Sequence, residues 1–374
     1  MLSRIKTFIL NVIAGANIVS VILMLMVGYS YYLSPNDYPL FACMGMIFPF
    51  VVAFNLLFIP IWVFLSWRRL LIPVIGLLLA YVPIRIYLPL HGHTTPPEDA
   101  ICIVSYNVCQ YGGNFKYEGA FDSIYNYLKE RKADIVCLQE DLNSKWKNSL
   151  ERYAGLFPYN DTTIVSTNSK GAINSVGIHT RFPLLKKEVI DYESPTNGSV
   201  AYYLNINGDT VIVINSHLES THLNTSDRTR YTDMIENNKA RNMLENEKTR
   251  DTMKAETRDL LGKLTLAMQI RARHVEVVHQ YIEAHSHYPI ISCGDFNDTP
   301  LSYAHYVMAK GLTDCYVETG RGPGLSYNRK GFNLRIDHLM CSSHFEPIFC
   351  EIDDKIDVSD HYPLLCWLKM REKP

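Results

Sequence analysis

Hydrophobicity along the chain falls into two regimes. Residues 8 to 90 are almost continuously apolar, interrupted only by the charges of Asp37, Arg68, Arg69 and Arg85. Three runs, 8–33, 39–67 and 70–90, each reach or exceed the roughly 20 residues that span a bilayer as a helix. Core helices are seldom apolar on every face for so long. A cleaved signal peptide would be shorter, would end in small residues and would not be followed by two more such runs. Three transmembrane helices are therefore expected. Positive charge orients them: Arg4 and Lys6 precede the first run, the loop 34–38 has no cation, and Arg68 and Arg69 separate the second run from the third. This puts the N-terminus and the arginine pair in the cytoplasm, and three crossings carry everything after residue 90 to the extracytoplasmic side. Arg85, near the outer end of the third run, can snorkel.

After a polar, proline-containing linker, HGHTTPPED at 91–99, the pattern changes to short apolar runs separated by turns. Strands are expected at ICIVSYN (101–107), ADIVCLQE (133–140), SVGIHT (175–180), VAYYLNI (200–206), TVIVINSH (210–217), YPIISCGD (288–295), RIDHLMC (335–341) and YPLLCWL (362–368). Ala120, Ile124 and Leu128 recur at helical spacing between the first two, and a helix also suits 302–310. Residues 232–281 contain no proline and a single glycine, Gly262, and read as one or two long helices. From Glu245 to Thr252 no residue is apolar, which makes that part a solvated face, a lid or a partner surface. Only 272–282, through Val275, Val278 and Ile282, has the spacing of a helix packed on a sheet. The expected organisation is a transmembrane region over 1–90, a linker over 91–99, and one domain over 100–374 with a helical insertion at about 227–270.

Charge narrows the function. Of the 36 Lys and Arg, five lie before residue 91, and of the 38 Asp and Glu only one does, so the remainder is about 6 units negative. A general nucleic-acid binder draws its affinity from cationic neutralisation of phosphates, which this balance disfavours. The nine cysteines are odd in number and contain no CxxC. Cys102, Cys137, Cys293 and Cys366 sit inside apolar runs and read as small core residues rather than a disulfide framework.

Nearly every expected strand ends in a polar group: Asn107, Glu140, His217, Asp295 with Asn297, Asp337 with His338, and SDH at 359–361. One such ending is a turn, since Asp and Asn readily bond their own backbone. Six would converge on one rim of a sheet scaffold, where sites are built. An EF-hand loop starting at Asp295 is excluded, because its sixth position needs Gly and holds Pro300. Glu140, Asp360 and Asn107 offer hard oxygen ligands without thiolate, suited to Mg²⁺ or Mn²⁺. Asp295, His217 and His361 offer acid and base groups, and Asn297 a neutral donor. These groups suit metal-assisted hydrolysis of a phosphate ester. No GxSxG elbow and no GxxxxGK phosphate loop occurs.

Taken in order, VSYNV, CLQE, NSHL, GDFND (294–298), RIDH (335–338) and SDHYP (359–363) resemble the endonuclease/exonuclease/phosphatase superfamily, over roughly residues 100–368. GIHTRFP (177–183) is similar to that family's strand leading into an Arg-aromatic-Pro turn. The resemblance implies a four-layer α/β sandwich, two packed mixed β-sheets flanked by helices, preceded here by the three transmembrane helices. It implies Glu140 as the main ligand of Mg²⁺, with Mn²⁺ as the alternative, and Asp360 and Asn107 helping to hold metal and phosphate. His217 would donate to a phosphate oxygen, Asp295 would orient or deprotonate the attacking water, and Asn297 would fix the same phosphate. His361 would contact the scissile phosphate or act as base, oriented by Asp337; the choice of base between Asp295 and His361 stays open. The long charged excursion between His217 and Asp295 exceeds the family's need and would reshape the mouth. The expected partners are the lipid bilayer and a phosphoester, a lipid headgroup or another extracytoplasmic ester ahead of nucleic acid, with no protein partner expected. A membrane-anchored nuclease and a non-catalytic scaffold are the competing readings.

Overall fold

Alternation along a single strand explains how a strand can read as an unbroken apolar run. In β1 (Ile101–Asn107), Ile101 and Ile103 enter one core while Cys102, Val104 and Tyr106 enter another. A strand covered on both faces has no need for polar positions until it ends. The computed structural model describes residues 2–112, 119–142, 149–167, 173–192, 194, 196–221, 247–329 and 332–372.

The remaining strands are β2 (Ile135–Gln139), β3 (Tyr159–Thr167), β4 (Ile173–Thr180), β5 (Leu184–Ile190), β6 (Gly198–Ile206), β7 (Asp209–His217), β8 (Ile290–Asp295), β9 (Thr313–Asp314), β10 (Tyr327–Arg329), β11 (Phe332–Leu334), β12 (Asp337–Cys341), β13 (Phe345–Ile352) and β14 (Leu364–Met370). They form two six-stranded sheets, ordered β13-β14-β1-β2-β4-β3 and β5-β6-β7-β8-β12-β9, and a separate β10-β11 hairpin. Each sheet is mixed, with one parallel pair: β1 with β2 in the first, β7 with β8 in the second. A parallel pair requires a crossover, and helices supply it. Ala120–Arg131 lies between β1 and β2 in the chain, and Glu247–Ala284 between β7 and β8.

Three cores stack into four layers. Ile103, Ile135 and Cys137 of one sheet meet Val200, Val213 and Cys293 of the other. Phe121, Ile124 and Leu128 cover the outer face of the first sheet. Val275, Val278 and Ile282 cover that of the second, as their spacing predicts. The crossover helix is used further than expected, since Arg271 and His274 are buried as well. The first part of the expected insertion, residues 227–246, lies outside the described residues. The eight expected strands are the interior strands of the two sheets. The four edges escape that reading: β3 and β5 carry Asn, Asp, Thr, Lys and Glu on their half-solvated faces, β9 is two residues long, and β13 is interrupted by Glu346, Pro347 and Glu351.

Two N-terminal segments, Arg4–Tyr32 and Pro39–Leu65, are long and apolar enough to cross a membrane. The third expected span is not one straight helix: Trp67–Leu79 and Tyr81–Tyr87 meet at a 58° bend. Pro83 accounts for the break, because it cannot donate to the carbonyl of Leu79 one turn earlier. These segments also dock on the sandwich. Leu301 packs among Met24, Val27, Tyr31, Phe48 and Ala80. Arg85, expected to snorkel, pairs with Glu318 at 2.8 Å. His91 Nε2 lies 3.0 Å from the Val317 carbonyl oxygen, and the His93 ring rests 4.8 Å from that of Phe349.

Candidate active site

Both parallel pairs end at the same rim, and strand alternation then dictates which side chains enter it. Cys293 and Leu339 point into the core between the sheets, so Asp295 and Asp337, each two residues away, do too. Val213 faces the same core, so Asn215 and His217 follow it. Register sets them side by side, with Asp295 paired to His217 on one flank and to Asp337 on the other. In the first sheet, Ile103 and Cys137 face inward, so Ser105, Asn107 and Gln139 do as well. Glu140 comes one residue too late for this parity. Its positive φ of 55° turns the chain at the strand end. Gly294 is dictated by the close approach of β7: its φ is 139°, and a Cβ there would strike the Ser216 carbonyl oxygen.

Asp295 is the centre of the cluster. Its Oδ2 accepts from Asn107 Nδ2 at 3.0 Å and lies 3.6 Å from both His217 Nε2 and His361 Nε2, while Oδ1 accepts from the main-chain N–H of Asn297 at 2.8 Å. His361 Nδ1 is 2.8 Å from Asp337 Oδ2. Ser359 ties the segment carrying Asp360 and His361 to β1, donating to the Asn107 carbonyl at 2.7 Å. Asn107 Nδ2 also reaches Glu140 Oε1 at 3.4 Å.

Electrostatics divide these groups. Burial and the charge of Asp360 push Glu140 up to about 7. Burial also raises Asp295 above the usual carboxylate range, against the pull of His361 and with the repulsion of Asp337. Burial lowers His217 despite Asp295 beside it. For His361 burial alone would act downward, but the carboxylates of Asp337 and Asp295 override it and push the imidazolium up to about 10. Two oxygen-only ligands, Glu140 and Asp360, that repel one another beside Asn107 suit a hard divalent cation between them. Asp295, Asp337 and His361 also lie close enough together to share an ion.

Asn297, with φ at 52°, donates through its side-chain Nδ2 to the Leu218 carbonyl at 3.0 Å and so ties the loop after His217 to the loop after Asp295. His338 faces away from the rim and bonds the Asp298 carbonyl at 2.9 Å. Several supports gave no legible signal. Gln139 Nε2 donates to Asn215 Oδ1 at 2.7 Å, clipping the two sheets together beneath the site. Asp141 accepts from Tyr111 and from Thr162 and lies 3.3 Å from His179 Nε2, anchoring the turn that presents Glu140. Fully buried Arg271 bonds Asp298 at 3.0 Å and the Glu219 carbonyl at 2.9 Å, bridging the same two loops as Asn297. Asp141 is one more acid beside Glu140 in CLQED, and a charged residue in a long polar helix conceals Arg271.

A family model described as the endonuclease/exonuclease/phosphatase family matches residues 104–361, and a domain of unknown function matches residues 10–87. No curated protein matches in sequence. Among solved structures, the human Nocturnin catalytic domain with bound sulfate superposes with a TM-score of 0.51 and 14% identity, over 75% of this chain and 100% of its own. An endonuclease/exonuclease/phosphatase family protein from Bacteroides thetaiotaomicron gives 0.50 and 16%, over 74% and 100%. A protein of the same description from Beutenbergia cavernae gives 0.50 and 14%, over 73% and 72%. At such identities the likeness concerns the fold.

Proposed function

This chain belongs to the endonuclease/exonuclease/phosphatase family, and from that premise we infer that it is a membrane-anchored, Mg²⁺-dependent hydrolase of phosphoester bonds. The observation that carries this reading is the meeting at one oxygen, Asp295 Oδ2, of Asn107 from one sheet, His217 from the other and His361 from the last loop.

Glu140, Asp360 and Asn107 would hold the cation. When bound, it polarises a non-bridging phosphoryl oxygen and offsets the charge that builds there. The chain's own residues do the rest. Asp295 orients a water and accepts its proton while the new bond from water oxygen to phosphorus forms and the bond to the leaving oxygen breaks. Asn297 and Asn107 hold the carboxylate in place. His361, kept protonated by Asp337, donates to a phosphoryl oxygen, which makes Asp295 rather than His361 the base. His217, with Asn174 Oδ1 at 3.4 Å from its Nδ1, presents Nε2 to the same group. The departing oxygen takes a proton from solvent.

The test is an assay of the full chain in detergent, with Mg²⁺ or with EDTA, on phospholipids, sphingomyelin, phosphorylated inositols and plasmid DNA. EDTA-sensitive turnover that Glu140→Gln and Asp295→Asn both abolish is expected. Undiminished turnover in either variant would refute the assignment, and cleavage of DNA alone would favour the nuclease reading.

A further inference from the structure

We propose that the substrate is a phosphoester-bearing lipid of the bilayer leaflet at which the N-terminal helices end, brought to the rim by docking of the sandwich on those helices. This rests on the phosphoesterase reading and adds the source of the phosphate.

The connection is short. Leu301 follows Asn297 by four residues, which span at most about 14 Å fully extended. Its side chain is buried among Met24 and Val27 at the end of the first helix, Phe48 of the second segment and Ala80 at the bend of the third. The fit is close, since a Cβ on Gly45 would collide with the Leu301 carbonyl oxygen. The loop that carries Asp295 and Asn297 is therefore wedged into the ends of the apolar segments.

Other attachments surround it. Tyr306 places its ring 5.7 Å from that of Tyr31 and 4.9 Å from that of Tyr32, and such clusters of tyrosine mark the membrane-water interface. Gln269 of the long helix donates to the Pro35 carbonyl at 3.0 Å. Arg335, two residues before Asp337, donates to the Ile86 carbonyl. Arg85 pairs with Glu318 at 2.8 Å. Attachments on several elements hold the rim at the bilayer surface, where a single tether would let the domain swing free. The phosphoesters at highest effective concentration there are lipid headgroups. A nucleic-acid polyanion meets a domain of negative net charge beside a surface that is itself anionic in many membranes.

The full chain is reconstituted in vesicles of phosphatidylcholine, phosphatidylethanolamine and phosphatidylglycerol with Mg²⁺. Headgroup release is followed by ³¹P NMR, beside hydrolysis of soluble bis(p-nitrophenyl) phosphate and of single-stranded DNA. Lipid of the protein's own vesicles should be cleaved at least about tenfold faster than lipid of protein-free vesicles added alongside. Tyr306→Ala and Gly45→Val, which loosen the docking, should lower lipid turnover about tenfold while soluble-ester turnover stays within about twofold. Soluble-ester hydrolysis without lipid hydrolysis, DNA cleaved faster than lipid, equal rates on both vesicle populations, or variants that lower both activities alike would overturn the proposal. No EDTA-sensitive hydrolysis of any ester would overturn the phosphoesterase reading itself.

Discussion

Two clusters of similar composition sit back to back on β12. Asp337 faces the rim with Asp295 and His361, whereas its neighbour His338 faces the opposite side, with His305 and Asp314. Both clusters are buried and both combine imidazoles with carboxylate. The difference lies in what surrounds them. On the outer side His305 Nε2 meets Asp314 Oδ2 at 2.6 Å, His338 bonds a backbone carbonyl, and Phe296 packs against the imidazole, so the charges are satisfied within the cluster. On the rim Asp295 is contacted by three side chains from separate elements, and Glu140 and Asp360 add further negative charge. A triad of the right residue types is thus a structural brace where its groups satisfy one another, and a candidate for chemistry, as proposed for the rim, where charge is left for a ligand to complete.

The largest effect that would separate the two clusters is expected from Asp295→Asn. Turnover should fall by roughly a thousandfold or more while thermal unfolding stays nearly unchanged; a collapse of the fold instead would make the rim a brace like its counterpart. Next, Asp337→Asn removes the carboxylate that holds His361 protonated. Asp337 and Asp295 together push the His361 imidazolium up to about 10 against the downward effect of burial, so NMR titration of the EDTA-treated variant should find His361 losing its proton at a lower pH than in the parent. Turnover should drop about a hundredfold with it.

On the outer side the signs reverse. Asp314→Asn should cost about 3 kcal/mol in stability, read from denaturant unfolding, because it breaks a buried pair, while turnover per folded molecule stays within about twofold. Acid should act through the same group. Burial alone would raise Asp314, but the hydrogen bond and charge of His305 hold its carboxyl well below the usual range. Its contribution is therefore complete above the unfolded value of about 3.9 and fades as pH falls below it toward the folded pKa. The parent should lose more stability than Asp314→Asn in that window. The smallest effect is expected from Glu318→Gln, at most about 1 kcal/mol, since its pairing with Arg85 is partly exposed and screened by solvent.

Much of the rim was legible because most of its residues close an apolar run. Asn107, Glu140, His217 and Asp295 announce themselves as polar groups where strands end, while Asp337 opens β12; for all but Glu140, strand parity turns that position into a direction. Asp337 and His338 could not be told apart by this signal; adjacent residues point to opposite faces, and which face is the rim depends on how the sheets pack. Gln139, Asn215, Asp141 and Arg271 were illegible for a related reason. Each acts through a partner distant in sequence, and nothing local to CLQED or to the helix around Arg271 reveals Thr162, Asn215 or Asp298 waiting across the fold.

Hydrophobic burial is a property of stretches of chain, so composition and periodicity alone were enough for the apolar N-terminal segments, the eight interior strands and the polar strand ends. Pairing is a property of surfaces brought together. The edge strands, the wedge of Leu301 against Gly45 and the division of two histidine clusters between brace and rim arise only when the sheets and helices pack, because each depends on which face meets solvent and which meets a neighbour.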